Sequence, residues 1–350
     1  MVSRDAKLRV LFLTLYPDVA ASPRYRVTQF VPLLQAMGIE CTVASAVSFD
    51  EFRAQRRPFW YHVAEIRNRV AQIHDAGRYD VVFVQKAILS AYVRGAHAIV
   101  RRRARRLVYD IDDAVHLHPP NPLRGMRRMV EDGAQVRRLM AAADLVLAGN
   151  TWLKHEAEKH GGNVTLFPTV VDTERFAPGP CDERRFRIGW IGNPSTTPHL
   201  AAAVEAIGKM KDCEVHLIGA DPARNPVRNA TVASWSFETE VSAIQSFSVG
   251  IMPLPKDEWT RGKCALKALQ YMACGVPCIA TPFGAVRDMI EHGVSGLFAD
   301  TPREWLDAFE RLRDPDERRR IGEAGRQVVA DRFSLSGAAP RMAELLEGLA

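Results

Sequence analysis

The sequence predicts an α/β protein built from two Rossmann-like, doubly wound domains that face each other across an interdomain cleft. Three observations lead there. The chain has 350 residues, too many for one ordinary core and enough for two. Strand-length apolar runs alternate with helix-length amphipathic ones, which is the pattern of a parallel sheet covered by helices on both faces. The alternation also stops once, at the proline-bearing stretch 167–185, and then begins again.

In the first half, Leu8–Leu15 reads as a buried strand, Arg26–Met37 as a helix ended by Gly38, and Glu40–Ala44 as the next strand. A loop and helix fill Asp50–Ala76. Asp80–Val84 is a third strand, Ala91–Arg105 a helix and Arg106–Ile111 a strand. Leu123–Ala142 reads as helical, followed by strands at Asp144–Ala148 and Val164–Leu166. The second half opens with a strand at Phe186–Ile191 and a helix at Thr197–Met210. Strands at Glu214–Ile218 and Val249–Met252, a helix at Lys263–Ala273 and the strand Pro277–Ala280 follow. Helices at Ala285–Glu291 and Pro302–Leu312 lead to a helical tail broken near Ser334–Gly337. The expected division is 1–168, a linker 169–185, a second domain 186–333, and a last helix 334–350 returning to the first domain.

Composition is that of a globular protein, 47% hydrophobic and 25% charged. No apolar run approaches the roughly 20 residues of a membrane span, and no cleavable leader is read at the N-terminus. The six cysteines show no C-x-x-C pair and read as reduced thiols of a cytoplasmic protein. His116 and His118 lack the spacing of metal ligands. Charge is uneven. Residues 1–168 carry 25 Lys and Arg against 16 Asp and Glu, whereas 169–350 carry 22 against 25. The basic excess gathers at Arg101–Arg106, Arg124–Arg128 and Arg137/Arg138, and suits either a polyanionic surface or a solvated arginine-rich face. With no interleaved aromatics and no recognised motif, nucleic acid is not an expected partner.

Dinucleotide binding is excluded. The first strand–helix turn, Tyr16-Pro-Asp-Val-Ala-Ala-Ser-Pro-Arg-Tyr-Arg26, has no glycine, and the first glycine of the chain is Gly38. The pyrophosphate of a dinucleotide needs backbone approach through glycines at that turn. The corresponding turn of the second domain, Gly189–Thr196, also misses G-x-G-x-x-G, and no P-loop occurs.

Three stretches carry a resemblance. Val249–Gly284 contains Arg-Gly-Lys-Cys-Ala-Leu-Lys-Ala-Leu-Gln-Tyr-Met-Ala-Cys-Gly-Val-Pro. Asn163–Pro178 contains Val-Val-Asp-Thr-Glu-Arg-Phe, and His292–Phe298 reads His-Gly-Val-Ser-Gly-Leu-Phe. Together they resemble the retaining family 4 glycosyltransferases, densely in the second half and loosely in the first. The resemblance implies the GT-B fold, a nucleotide-sugar donor in the second domain, an acceptor in the first, retention of anomeric configuration and no metal or other cofactor.

On that basis Arg261 and Lys263 are expected to stabilise the departing diphosphate, with Lys267, Ser195, Thr196 and Gly192 completing the donor site. The resemblance also implies two glutamates separated by seven residues; here those positions hold Gly262 and Gln270. Gln270 retains amide hydrogen bonds for ribose hydroxyls, and Asp257 or Glu258 is expected to take over sugar recognition. In the first domain Arg24 and Arg26 are expected to hold a phosphate, and Lys86 joins them in the acceptor site where relatives carry a histidine. Asp110, Asp112 and Asp113 close a strand where relatives carry a His-Asp pair. Orienting the acceptor hydroxyl through Asp112 and Asp113, binding a divalent ion, and pairing with the arginines all stay open for them. The expected activity is hexosyl transfer in cell-surface or lipid-linked glycan assembly, at the inner face of an anionic membrane. A soluble small-molecule acceptor, and a GT-B-shaped binding protein without turnover, are the alternatives.

Overall fold

Central strands rich in β-branched and aromatic residues, buried on both faces, can only sit inside a helix-covered parallel sheet. Val81–Gln85 (Val-Val-Phe-Val-Gln) is such a strand, buried at every position. The computed structural model describes residues 7–53, 59–90, 92–117, 132–180 and 185–350. Arg124–Arg128, His118 and Cys181 lie outside the described residues.

The chain divides into two compact units, 1–169 with 336–350, and 170–335. Unit 1 is a six-stranded parallel sheet of β1 (Arg9–Thr14), β2 (Glu40–Ser45), β3 (Val81–Gln85), β4 (Arg106–Ile111), β5 (Leu145–Ala148) and β6 (Val164–Leu166), ordered β2-β1-β3-β4-β5-β6. Register places Phe12 beside Phe83 and Gln85 beside Asp110. The last helix, Leu335–Glu347, is tied to this unit by Arg341 donating to the Leu166 carbonyl at 2.9 Å. Beyond that helix, the Leu349 carbonyl accepts from Arg106 Nε at 2.7 Å.

Unit 2 repeats the plan with β7 (Phe186–Ile191), β8 (Cys213–Ile218), β9 (Thr231–Ala233), β10 (Val249–Met252), β11 (Cys278–Ala280) and β12 (Leu297–Phe298), ordered β12-β11-β10-β7-β8-β9. Trp190, Leu217, Ile251, Ile279, Trp305 and Phe309 fill its core. Gly189 and Gly250 thin the central strands for packing: a β-carbon at Gly189 would meet the Phe247 ring at 2.0 Å. The segment following Val170 packs within this unit, with Arg326 Nη1 donating to the Phe176 carbonyl at 3.1 Å and Gln245 to the Ala177 carbonyl at 2.7 Å. No helix among the described residues is long and apolar enough to cross a membrane.

Several elements differ from the sequence reading. The helix expected over 26–37 is three pieces, Ala21–Arg26, a 3-10 turn at Thr28–Phe30, and Val31–Ala36. Pro32 supplies no N–H, so a new helix starts beside it. The helix expected over 197–210 is a 3-10 stretch, Pro194–Ala202, followed by Val204–Lys209. The helix expected from Lys263 begins only at Leu266, because Ala265 adopts a left-handed φ of 53°.

Candidate functional site

Ligands of doubly wound sheets collect at the carboxyl ends of the strands. In unit 2, β7 ends at Ile191 and the chain turns through Gly192-Asn193. Asn193 caps the 3-10 stretch, its side chain accepting from Thr196 N at 3.2 Å and from Ser195 Oγ at 2.6 Å. The cap is therefore Asn193, and Ser195 and Thr196 lie inside the turn that it closes.

Opposite this turn stands helix Leu266–Ala273. Tyr271 fixes the helix to the sheet: its hydroxyl accepts from Ile191 N at 2.9 Å and faces the Ile251 carbonyl at 3.4 Å. Lys267, one turn earlier, donates to Thr196 Oγ1 at 3.3 Å, with its ammonium 4.2 Å from the centroid of the Trp190 ring. Gly192 leaves room for that ammonium; a β-carbon there would lie 2.9 Å from Lys267 Nζ and 2.3 Å from the Trp190 indole. No side chain caps the helix, so its first-turn N–H groups are not occupied by a cap.

The electrostatics show which groups share this space. Burial, and then the charge of Lys263, lower the Lys267 ammonium from 10.5 to about 7. Burial, and then Lys267 and Lys263, lower His199 to about 4, with Asp257 opposing. Lys263, Lys267, His199 and Asp257 thus act on one another around the Gly192 turn. Asp257 also caps the short helix Glu258–Arg261, accepting from Thr260 N at 2.7 Å, and Glu258 is exposed beside it. Arg261 is exposed, its guanidinium 5.2 Å from the Phe283 ring centroid. Gln270 is buried one turn beyond Lys267. Arg261 and Lys263 precede the helix rather than opening it, Lys263 N donating to the Thr260 carbonyl at 3.1 Å.

Unit 1 gathers its own polar groups at the ends of β1, β3 and β4. Asp110 is fully buried and takes Arg26, whose Nε lies 3.1 Å from Oδ2, while Nη1 donates to the Phe167 carbonyl at 2.8 Å. Burial raises Asp110 to about 6 against the opposing pull of Arg26. Arg26, 2% exposed, is consequently an internal pair and not a phosphate clamp. Asp112 accepts from Ser22 Oγ, and from Gln85 Nε2 at 3.3 Å. Gln85 Nε2 also donates to Ser22 Oγ at 2.6 Å, and its buried Oε1 has no partner. Asp113 receives Lys86 Nζ at 3.3 Å. Burial pulls the Lys86 ammonium down, but Asp112 and Asp113 outweigh it and raise it above its ordinary value. Arg24 is half-buried, and its Nη2 reaches the Val19 carbonyl at 3.5 Å. The three aspartates therefore have three different partners. Among the described residues, no three His, Cys, Asp or Glu side chains gather to hold a metal ion.

The sequence reading missed Asn193, His199, Ser22 and Gln85. Only Gln85 left a signal, as a polar residue ending an otherwise apolar strand.

Residues 185–314 match the family model of glycosyl transferases group 1. A D-inositol 3-phosphate glycosyltransferase of Thermobispora bispora is 39% identical over 82 residues, 23% of this chain and 19% of that protein. An N-acetyl-alpha-D-glucosaminyl L-malate synthase of Bacillus anthracis is 38% identical over 71 residues, 19% of each chain. The matching stretches span about a fifth of these relatives' length. The structure is similar to Anabaena HepE in complex with UDP and glucose, with a TM-score of 0.67 and 14% identity over 97% of this chain and 99% of that one. It is also similar to a sucrose-phosphate synthase of Thermosynechococcus elongatus, with a TM-score of 0.75 and 16% identity over 98% and 99%. The fold is therefore GT-B, and within unit 2 residues 185–314 are similar to the glycosyl transferases group 1.

Proposed function

We propose that the chain is a retaining glycosyltransferase that moves a hexosyl group from a nucleoside-diphosphate sugar to a hydroxyl acceptor. The observation that carries this reading is the Lys263–Lys267 pair at the Gly192 turn of the unit that matches the family. A sugar leaving a diphosphate deposits negative charge on the β-phosphate. Lys263, Lys267 and the first-turn amides of helix Leu266–Ala273 are the groups offered to that charge. Gln270, buried on the same helix, is assigned to the ribose hydroxyls. On unit 1, Asp112 is a hydrogen-bond acceptor for the incoming hydroxyl, held in place by Ser22 and Gln85. The cations supply the charge compensation that a divalent ion would give, so no metal enters the reaction. The acceptor is a lipid-linked or cell-surface glycan, met at the cytoplasmic face of a membrane.

A thermal-shift screen of nucleoside diphosphates and their sugars, beginning with UDP, tests the donor class through ligand stabilisation. Lys263→Ala removes one charge-assisted phosphate contact, about 1.5–3 kcal/mol, and lowers affinity roughly ten-fold or more. The melting temperature of the free protein stays close to its starting value. Turnover of the best donor persists in excess chelator. Equal affinity of wild type and Lys263→Ala for every nucleotide would remove the basis of this assignment.

A further inference from the structure

The connections β2 to β3, β3 to β4 and β4 to β5 each step the same way along the unit 1 sheet. Right-handed crossovers therefore place their helices on one face of it. Helices Phe59–Asp75 and Ala96–Arg103 are neighbours in that layer. On the first, the exposed positions among the described residues are 63, 66, 67, 70, 71 and 74, which recur at helical spacing and form one outward face. That face is largely apolar: Val63, Ile66 and Val70 are 40%, 42% and 62% exposed, with Ala71 beside them. The outward face of the second helix holds Ile99, 54% exposed, with Arg102 and Arg103. Three large aliphatic side chains aligned on one exposed helix face are not the scatter normal for a water-facing surface.

Charge indicates the occupant. Arg67 lies within the stripe, Arg102 and Arg103 border Ile99, and exposed Arg94 precedes that helix. Among the described residues of the two helices, the carboxylate with an exposed side chain is Asp75 at the end of the first, which faces Arg78 at 3.3 Å. The rest of the basic run has partners on its own unit: Arg101 faces Asp144 at 3.5 Å, Arg105 faces Asp80 at 3.2 Å, and Arg106 bonds the Leu349 carbonyl. Arg102 and Arg103, which adjoin Ile99, are exposed.

We infer that this two-helix face of unit 1 docks on an anionic lipid bilayer, with Val63, Ile66, Val70 and Ile99 entering the headgroup–acyl boundary and Arg67, Arg94, Arg102 and Arg103 on the lipid phosphates. Aliphatic residues bordered by surface arginines, with the helix-end Asp75 taken up by Arg78, match an interface that is apolar beneath and negative above. The inference takes its purpose from the proposed lipid-linked acceptor, but it stands on the surface itself.

The test uses the full chain in sedimentation with phosphatidylcholine vesicles, with and without roughly 30% phosphatidylglycerol, at about 0.1 M and about 0.5 M NaCl. Binding to the anionic vesicles at least ten-fold above the neutral ones is expected, weakened but not abolished by salt. Ile66→Ser with Val70→Ser is expected to lower partitioning at least five-fold at both salt concentrations. Arg102→Gln with Arg103→Gln lowers it on anionic vesicles only. All three chains keep wild-type nucleotide affinity and circular dichroism; if the first pair disturbs folding, Val63→Ser with Ile99→Ser replaces it. Wild-type partitioning by the serine variants, indifference to lipid charge, or no binding at all overturns the inference. So does a lipid-free dimer, seen in sedimentation velocity, that the serine substitutions dissolve. Nucleotide binding is read in the same samples, so its failure counts against the transferase reading and leaves the vesicle result decisive for the surface.

Discussion

Replacing Lys267 by methionine probes the donor site and the fold together, with opposite expected signs. The ammonium sits above Trp190, near Lys263, and titrates at about 7 instead of 10.5. Its folded value lies below its unfolded one, so between these pH values the unfolded chain binds more protons and stability rises with pH. Below about pH 7 both states are charged and the fold carries the whole cost of the buried cation. At about 1.4 kcal/mol per pH unit, wild type gains on the order of 2 kcal/mol between about pH 7 and pH 9. The half-buried stem still meets water, so this is an upper bound. Lys267→Met removes that slope and is the more stable protein at neutral pH. Nucleotide binding moves the other way. A diphosphate restores the charged form, so at about pH 8 wild type takes up roughly 0.5–0.9 proton per nucleotide bound. Lys267→Met takes up none and loses about 1.5–3 kcal/mol of affinity. Titration calorimetry in buffers of different ionisation enthalpy reads the proton count, and urea unfolding across pH reads the slope. Identical proton uptake and affinity in the two proteins would refute the placement of Lys267 on the diphosphate.

Two further substitutions separate structure from binding. Arg26→Met leaves Asp110 buried without its partner and is expected to cost about 3–5 kcal/mol in urea unfolding, largely recovered by adding Asp110→Leu, with nucleotide affinity intact. A stable Arg26→Met protein that loses only acceptor turnover would return Arg26 to the phosphate role. Gly192→Ala puts a methyl group against Trp190 and Lys267 at 2.3 and 2.9 Å. It is expected to cost about 1–3 kcal/mol of stability and to weaken nucleotide binding several-fold by calorimetry; an unchanged affinity would mean that the ammonium need not sit where it does.

The parts of the fold legible in the sequence were those written in consecutive residues. Buried strands such as Val81–Gln85 declare themselves by continuous apolar runs. β9, only Thr231–Ala233, and β12, only Leu297–Phe298, are too short to show a period and owe their existence to neighbours. Helix starts were missed where one backbone angle decided them: nothing in Lys-Cys-Ala-Leu announces that Ala265 turns left-handed and delays the helix to Leu266. In the site, Lys263 and Lys267 were legible because they lie four residues apart. The Arg26–Asp110 pair spans 84 residues and was not. Arg26 near a strand end suggested a phosphate clamp only because its carboxylate partner, far away in the chain, was out of view. His199 had no surrounding motif, and its place among two lysines follows from how the 3-10 stretch meets the helix.

The two units differ in how their charges are balanced, and the difference suits the two halves of the transfer reaction proposed above. In unit 2 the bases are held back from charging: His199 is neutral and Lys267 half-discharged near pH 7, because burial strips both of water and the neighbouring lysine charges add to that cost. Such a site gains most from a ligand that brings concentrated negative charge. In unit 1 each cation reaching the strand ends has a carboxylate, Arg26 with Asp110 and Lys86 with Asp113. Asp112 accepts from a hydroxyl and an amide, Ser22 and Gln85. A second anion there would compete with carboxylates for the same ammonium, whereas an alcohol can donate to Asp112 as Ser22 does. In the transfer reaction proposed above, the phosphate-holding role expected of Arg26 gives way to hydroxyl recognition by Asp112, and charge stabilisation is assigned to the lysines of unit 2.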